Sequence, residues 1–311
     1  MSRYLVTGGA GFIGSHIVET LVKAGHYVRV LDNFSSGKLS NLQGQESKID
    51  LIKGDICSQA TCFKVTKNID FVLHQAALRS VPKSMKNPHA YNLVNIGGTL
   101  NMLEASKQSK VKRFVFASSS SVYGEVKNFP EKESFIPNPI SPYALSKLTG
   151  EYYCKIFSLH FGLSTVALRY FNVFGPRQAL DDEYAVVIPK FINCLLNNQR
   201  PPIFGTGKQS RDFTFVKNVV SANLLAANAK NLEFKVFNVA AGQAITVLDL
   251  VKILNRFLGK DIKPLLLGVR AGDVFKTWAD ISQAAKILKF KPVFDFSKGL
   301  KITLDYWNKA K

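Results

Sequence analysis

At 311 residues, with 46% hydrophobic and 20% charged residues, the chain can bury a large core and does not read as disordered. Two closely associated domains are expected at this length. The net charge of +19 comes from scattered lysines and arginines and reads as a solvated basic surface. No DNA- or RNA-binding motif accompanies it, so no nucleic-acid partner is expected.

No apolar run approaches the ~18 residues of a membrane span, and the early glycine turn leaves no room for a signal peptide. A cytoplasmic, membrane-free protein is expected. Cys57, Cys62, Cys154 and Cys194 have no paired metal-ligand spacing, so reduced thiols and no metal site are expected.

Tyr4-Leu5-Val6 predicts a short buried strand. A turn with glycines at 8, 9, 11 and 14 follows, then helical spacing over Ser15 to Val22. This is the first half of a βαβ unit that lets a diphosphate approach the backbone. Gly8 would take the turn's unusual φ, Gly11 would leave room for phosphates, and Gly14 would let helix and strand pack closely. The helix N-terminus adds free N–H groups and a positive dipole end. The spacing Gly8-x-x-Gly11-x-x-Gly14 is not the standard G-x-G-x-x-G, and a glycine triplet also fits a plain loop. The next strand, Tyr27 to Leu31, ends in Asp32. That acid lies 18 residues beyond Gly14, near the ~20 expected of the carboxylate that binds the adenosine ribose. It favours NAD by repelling the extra phosphate of NADP; an ordinary strand-end or N-cap residue is the alternative.

Further strands are predicted at Leu51-Ile52, Asp70–His74, Phe114–Ala117 and Thr165–Arg169, each apolar on both faces and ending in small or polar residues. That pattern is a parallel sheet covered by helices, with ligand groups at the strands' C-terminal ends. The fold class is α/β: a Rossmann doubly wound parallel sheet over residues 1–170 and a smaller C-terminal α/β substrate domain over 171–311. The boundary is approximate, with room for later segments to return to the first domain. Prolines at 176, 189, 201 and 202 and the turn Phe204-Gly205-Thr206-Gly207 break up the alternation in the second part. Long helices over His89–Gln108 and Ser141–His160 carry apolar residues on more than one side, which fits either core or a homodimer through a helix bundle.

Tyr143-Ala144-Leu145-Ser146-Lys147 puts a phenol and an ammonium four apart on one helix face. A tyrosine with a pKa of about 10 is a poor base at neutral pH. A lysine one turn away, with a positive nicotinamide nearby, would lower that pKa. A solvated surface pair has the same spacing. The serine run Ser118–Ser121 either makes a turn or, at the mouth of the sheet, offers hydroxyls to a reacting sugar oxygen.

Together, the glycine turn, Asp32, Asp55-Ile56, His74-Gln75-Ala76-Ala77, Ser119 with Val122-Tyr123-Gly124, Tyr143-x-x-x-Lys147 and Arg169-Tyr170-Phe171-Asn172-Val173 resemble the extended short-chain dehydrogenases. These are NAD-dependent nucleotide-sugar epimerases and dehydratases, and the likeness runs nearly end to end. It is nearest to the 4-epimerases of UDP-glucose or UDP-N-acetylglucosamine. Ser80-Val81-Pro82-Lys83-Ser84, Tyr184 to Phe191 and Arg270-Ala271-Gly272-Asp273-Val274 carry that finer likeness.

The resemblance implies that Gly8, Gly11, Phe12, Ile13, Gly14, Asp32, Asn33, Ser35 and Gly37 hold the adenosine diphosphate half of NAD, with Asp55 and Ile56 beside the adenine. Gln75, Ala76, Ala77, Asn95, Ala117, Tyr143, Lys147, Tyr170 and Val173 would line the nicotinamide half. For a UDP-sugar it implies Ser80, Ser119, Tyr143, Asn172, Gln178, Val187, Arg211, Arg270, Asp273 and Thr277. Ser119, Tyr143 and Lys147 would be catalytic. Dehydratases carry Asp-Glu, and decarboxylases a Glu in the second place, where this chain has Ser120-Ser121. The implied reaction is reversible C4 epimerisation of UDP-GlcNAc/UDP-GalNAc, UDP-Glc/UDP-Gal, or both. A different nucleotide-sugar enzyme (reductase, decarboxylase) and a non-enzymatic basic Rossmann-like RNA-binding or regulatory protein are the alternatives. Two departures stand out: Arg79 replaces a small residue, and Lys217-Asn218 replaces an acidic pair.

Overall fold

A computed structural model of the chain describes residues 1–179, 187–268 and 274–309. The elements run in chain order: β1 (Arg3–Thr7), α1 (Phe12–Lys23), β2 (Tyr27–Asp32), β3 (Asp50–Lys53), α2 (Gln59–Thr66), β4 (Phe71–His74), α3 (Val81–Lys86) and α4 (Pro88–Tyr91). A π-helical turn at Asn92–Gly97 joins α4 to α5 (Gly98–Gln108). Then come β5 (Arg113–Ser119), α6 (Pro142–Phe161) and β6 (Thr165–Tyr170).

Seven parallel strands form one sheet in the order β11-β6-β5-β4-β1-β2-β3, where β11 (Lys235–Val239) comes from late in the chain. The order reverses between β1 and β4, and in doubly wound sheets ligands bind in the crevice at that switch point. Alternate residues of each strand feed opposite cores. Tyr4, Val6, Leu73, Val115 and Val166 pack with α1, α8 (Val216–Asn228) and α10 (Ser282–Leu288). Leu5, Val72, Phe114, Phe116 and Ala167 pack with α2, α5 and α6. Both faces are covered, which is why the strands read as continuous apolar runs.

The remaining elements are β7 (Val173–Phe174), α7 (Val187–Leu196), β8 (Pro202–Phe204), β9 (Ser210–Arg211), β10 (Thr214–Phe215), β12 (Ile245–Thr246), α9 (Val247–Leu258), β13 (Leu265–Leu267) and α11 (Phe296–Lys309). Phe174, Phe191, Phe213, Phe215, Leu250 and Leu254 make a separate core there. Residues after 170 thus contribute most of this separate core and also supply β11, α8 and α10 to the sheet layer. Buried Asp212 ties the second lobe together by accepting from the N–H groups of Ala241, Gly242 and Ala279. No helix of the described residues is long and apolar enough to cross a membrane.

Buried His16 on α1 donates from Nε2 to the Pro176 carbonyl (3.0 Å), fastening α1 to the loop after β7. Burial holds its imidazole down at about 4. The folded protein keeps it neutral, while the unfolded chain takes up a proton below about 6.5, so its stabilisation is present above that pH and is lost as pH falls toward 4. The melting-temperature advantage of wild type over His16→Gln should therefore narrow between about pH 7 and pH 4. Parallel melting curves across that window would contradict this role.

Candidate active site

β1 delivers the chain into the glycine turn. Gly8 has φ +65°, and a Cβ there would sit 2.8 Å from the Ala76 nitrogen. A Cβ on Gly14 would lie 2.1 Å from the Gly8 oxygen, so only glycine lets α1 start this close to the strand. Gly11 N-caps α1 with no side-chain cap and no acid follows in the first turn, which leaves the positive helix end to a ligand.

Asp32 ends β2 with one oxygen accepting from Ala10 N (2.9 Å) and the other from Phe34 N (2.8 Å). Asn33 Nδ2 donates to Asp55 Oδ2 (2.8 Å), linking the loops after β2 and β3. These groups line a cleft of about 560 Å³ along the C-terminal ends of the strands. Gly8, Gly11, Phe12, Ile13, Gly14, Asp32, Asn33, Ser35, Gly37, Asp55, Ile56, Gln75, Ala76, Ala77, Ala117, Tyr143 and Tyr170 all face it. The cradle closed by Gly14 and the uncapped α1 fit a dinucleotide diphosphate. Among the described residues no cluster of His, Cys, Asp or Glu could hold a metal.

At the other end of the cleft, α6 starts behind Ser141, whose side chain accepts from Ala144 N. The helix lies so near β5 that a Cβ on Gly150 would meet Phe116 at 2.3 Å. Behind this contact Arg169 makes a bidentate pair with Glu151 (2.9 and 2.7 Å), and Ser118 donates to the same carboxylate. This packing sets Tyr143 at the cleft and Lys147 beneath it. Lys147 is buried, its Nζ donating to the Ala117 carbonyl (2.8 Å) and lying 6.0 Å from the centre of the Tyr143 ring. Burial lowers the ammonium to about 8.

The sequence-based expectation that Lys147 lowers the Tyr143 pKa needs correction: the phenol is raised, and Lys147 is not what opposes the rise. Burial raises the Tyr143 phenol, while a hydrogen bond with Ser119 and the charge of Arg79 oppose the rise. Arg79, singled out as a departure, lines the same cleft. Tyr170 takes a different part: burial pushes its phenol up, and it joins Gln75 and Asn223 in a neutral network.

Three predicted cofactor residues do not face the cleft. Lys147 lies beneath it, as above. Buried Asn95 stands behind the wall, accepting from Leu78 N and donating to the Leu78 carbonyl and to Ser146. Val173 packs between the two lobes, and its carbonyl accepts from Gln178.

Of the predicted sugar residues, Tyr143 and Gln178 line the cleft and Ser119 is bonded to Tyr143. Ser80 caps α3 and is clamped at N and O by the Tyr91 hydroxyl. Asn172, Arg211 and Thr277 gather beside the cleft's second lobe. Asn172 donates to the Thr277 hydroxyl (2.9 Å) and Arg211 to the Ser210 and Phe275 carbonyls. Val187 opens α7 and packs on the second core. Arg270 and Asp273 lie outside the described residues.

Sequence reasoning missed Arg177, Tyr306 and Trp307, which also line the cleft. Arg177 reaches it while paired with Glu19 of α1 (2.6 Å). The aromatic pair on lysine-rich α11 was the one signal for a C-terminal contribution.

A cleft with a dinucleotide cradle at one end and a tyrosine held over a buried lysine at the other defines an extended short-chain dehydrogenase with a Rossmann fold. The chain belongs to the NAD dependent epimerase/dehydratase family, which its residues 4–240 match, and is an NAD-dependent enzyme. A putative UDP-glucose 4-epimerase of Methanocaldococcus jannaschii is 39% identical, with 97% of each chain covered. The UDP-N-acetylglucosamine 4-epimerase of Methanobrevibacter ruminantium M1, solved with UDP-N-acetylmuramic acid, superposes with a TM-score of 0.96 at 44% identity, covering 100% of this chain and 99% of that one. The UDP-glucuronic acid 4-epimerase of Bacillus cereus, solved with UDP-glucuronic acid and NAD, gives 0.92 at 34% identity, covering 99% and 100%. A UDP-N-acetyl-alpha-D-glucosaminuronate decarboxylase of Bacillus cytotoxicus is 31% identical over 99% of this chain and 98% of its own length.

Asp32 is expected to set cofactor choice. Titration of the cofactor-stripped protein should give tighter binding of NAD than of NADP, because the 2′-phosphate would meet a buried carboxylate. Equal affinities would contradict the assignment.

Proposed function

We propose that the protein is a UDP-hexose 4-epimerase that interconverts UDP-GlcNAc with UDP-GalNAc and UDP-Glc with UDP-Gal. The observation that carries this reading is Tyr143 lining the cleft over buried Lys147, whose Nζ lies 6.0 Å from the centre of the phenol ring, with serines at 120 and 121 where elimination or decarboxylation would use carboxylates. That absence favours epimerisation over the decarboxylase alternative.

Gly8, Gly11 and the start of α1 would hold the diphosphate of NAD and Asp32 its adenosine ribose, while Lys147 would act from beneath the cleft on Tyr143. NAD, when bound, accepts and returns a hydride at C4 of the sugar, and is regenerated in each turnover. Tyr143 takes the proton from the 4-hydroxyl and returns it after the sugar turns over. Ser119 holds the 4-oxygen through both half-reactions. The charge of Arg79 favours the Tyr143 phenolate and opposes the burial that raises the phenol. Gln178, Arg211 and, beyond the described residues, Arg270 would hold the UDP while the keto sugar rotates. An arginine fork suits a diphosphate.

Tyr143→Phe should lose well over nine-tenths of turnover, more than ~1.4 kcal/mol in barrier, with NAD still bound. A variant keeping more than about a tenth of the rate would remove Tyr143 as the base.

Thr277 bears on the sugar's 2-substituent. It is small, and its hydroxyl is engaged by Asn172 and by Asp212 N. A small residue there leaves room for an N-acetyl group, so UDP-GlcNAc is expected to turn over. Thr277→Tyr should depress activity on UDP-GlcNAc more than on UDP-Glc, since the added bulk clashes with one substrate and not the other. Equal loss on both sugars, or no wild-type turnover of UDP-GlcNAc, would sink the assignment.

We also propose a homodimer. Leu145, Tyr152, Ile156 and Leu159 form one exposed apolar stripe on α6, and Leu93 is exposed nearby in sequence to α5. Sedimentation at micromolar concentration should give a dimer, and Ile156→Asp a monomer. A monomeric wild type would sink the assembly.

A further inference from the structure

On the sheet face opposite α5 and α6, a second cavity of about 820 Å³ opens between α1, α8 and α10. None of its lining residues also lines the cofactor cleft. Leu224, Leu225 and Ile287 contribute an apolar floor, and Ile287 is 39% exposed. Lys217 and Lys230 of the α8 segment stand on its rim with Lys23 and Lys289. The one acid among the lining residues, Glu19, is already shared between Lys23 and Arg177. His16 is neutral and committed to Pro176, so it adds no charge.

An apolar floor inside a ring of lysines selects its ligand by two criteria. The cations are compact point charges, which suit phosphate oxygens. The volume falls within the roughly 300–1,000 Å³ of small-molecule sites. Ser221, Thr20 and Asn228 add hydroxyl and amide groups at the same surface. A second copy of a chain with a net charge of +19 would bring more cations to this rim and is disfavoured. The departure at Lys217, which the catalytic account leaves unused, puts one of those cations there.

We propose that this groove is a second ligand site, taking a phosphorylated small molecule of nucleotide size with an apolar portion. It is independent of the epimerase reading, because it shares no residue with that cleft. Anilinonaphthalene sulfonate, a fluorescent apolar anion, is the probe, added to protein already saturated with NAD and UDP so that the cofactor cleft is filled. Saturable binding of one probe per chain, displaced by ADP, is expected. Lys217→Glu with Lys230→Glu should weaken it about tenfold or more. Lys48→Glu with Lys132→Glu, the same charge change elsewhere, should leave it within about twofold. Non-saturable binding, failure of ADP to displace the probe, or equal weakening by both double variants would overturn the site. Unchanged melting temperatures would show that the variants remain folded.

Discussion

The site depends on how tightly α6 is pressed against β5. Gly150 has no Cβ because the Phe116 ring occupies that space. About one and two turns earlier on the helix, Lys147 and Tyr143 inherit their positions from this contact. The buried Glu151–Arg169 pair, with Ser118 on the same carboxylate, locks the helix across β5 and β6. Such a pair is costly to desolvate, and removing one partner typically costs about 3–5 kcal/mol because a lone buried charge remains. Its value here is registration. It holds a phenol and an ammonium within an ångström-scale geometry that the proposed proton transfer needs.

The same close approach explains the electrostatics. Lys147 bonds the Ala117 backbone carbonyl and not a carboxylate. Burial therefore eases its proton off, while burial of Tyr143 holds its proton on. Ser119 and the charge of Arg79 act against that burial and favour the phenolate.

Much of this was legible in the sequence because it rests on local rules. Strands buried on both faces read as apolar runs, as Phe114–Ala117 and Thr165–Arg169 did. Gly8 and Gly14 announced a turn whose backbone geometry tolerates no Cβ. Tyr143 and Lys147 fell on one helix face by spacing alone. What escaped depends on long-range return of the chain. β11 is a five-residue strand embedded in irregular sequence, and its partner β6 lies far upstream. Asn95 carries the polar character of a ligand residue, yet its three hydrogen bonds go to Leu78 and Ser146. Nothing in local pattern reveals that Thr277 supports Asn172, and the aromatic pair on the last helix does not by itself say that Trp307 reaches the cofactor cleft.

The central claim is that this cleft inverts C4 of a UDP-hexose with no net redox change. Proton NMR of separate reactions started from UDP-GlcNAc and from UDP-GalNAc tests it most directly. Both should converge on one epimer ratio while NADH absorbance stays flat. Accumulation of NADH, release of carbon dioxide from a UDP-hexuronate, or the absence of any epimer from either UDP-hexose series would contradict it.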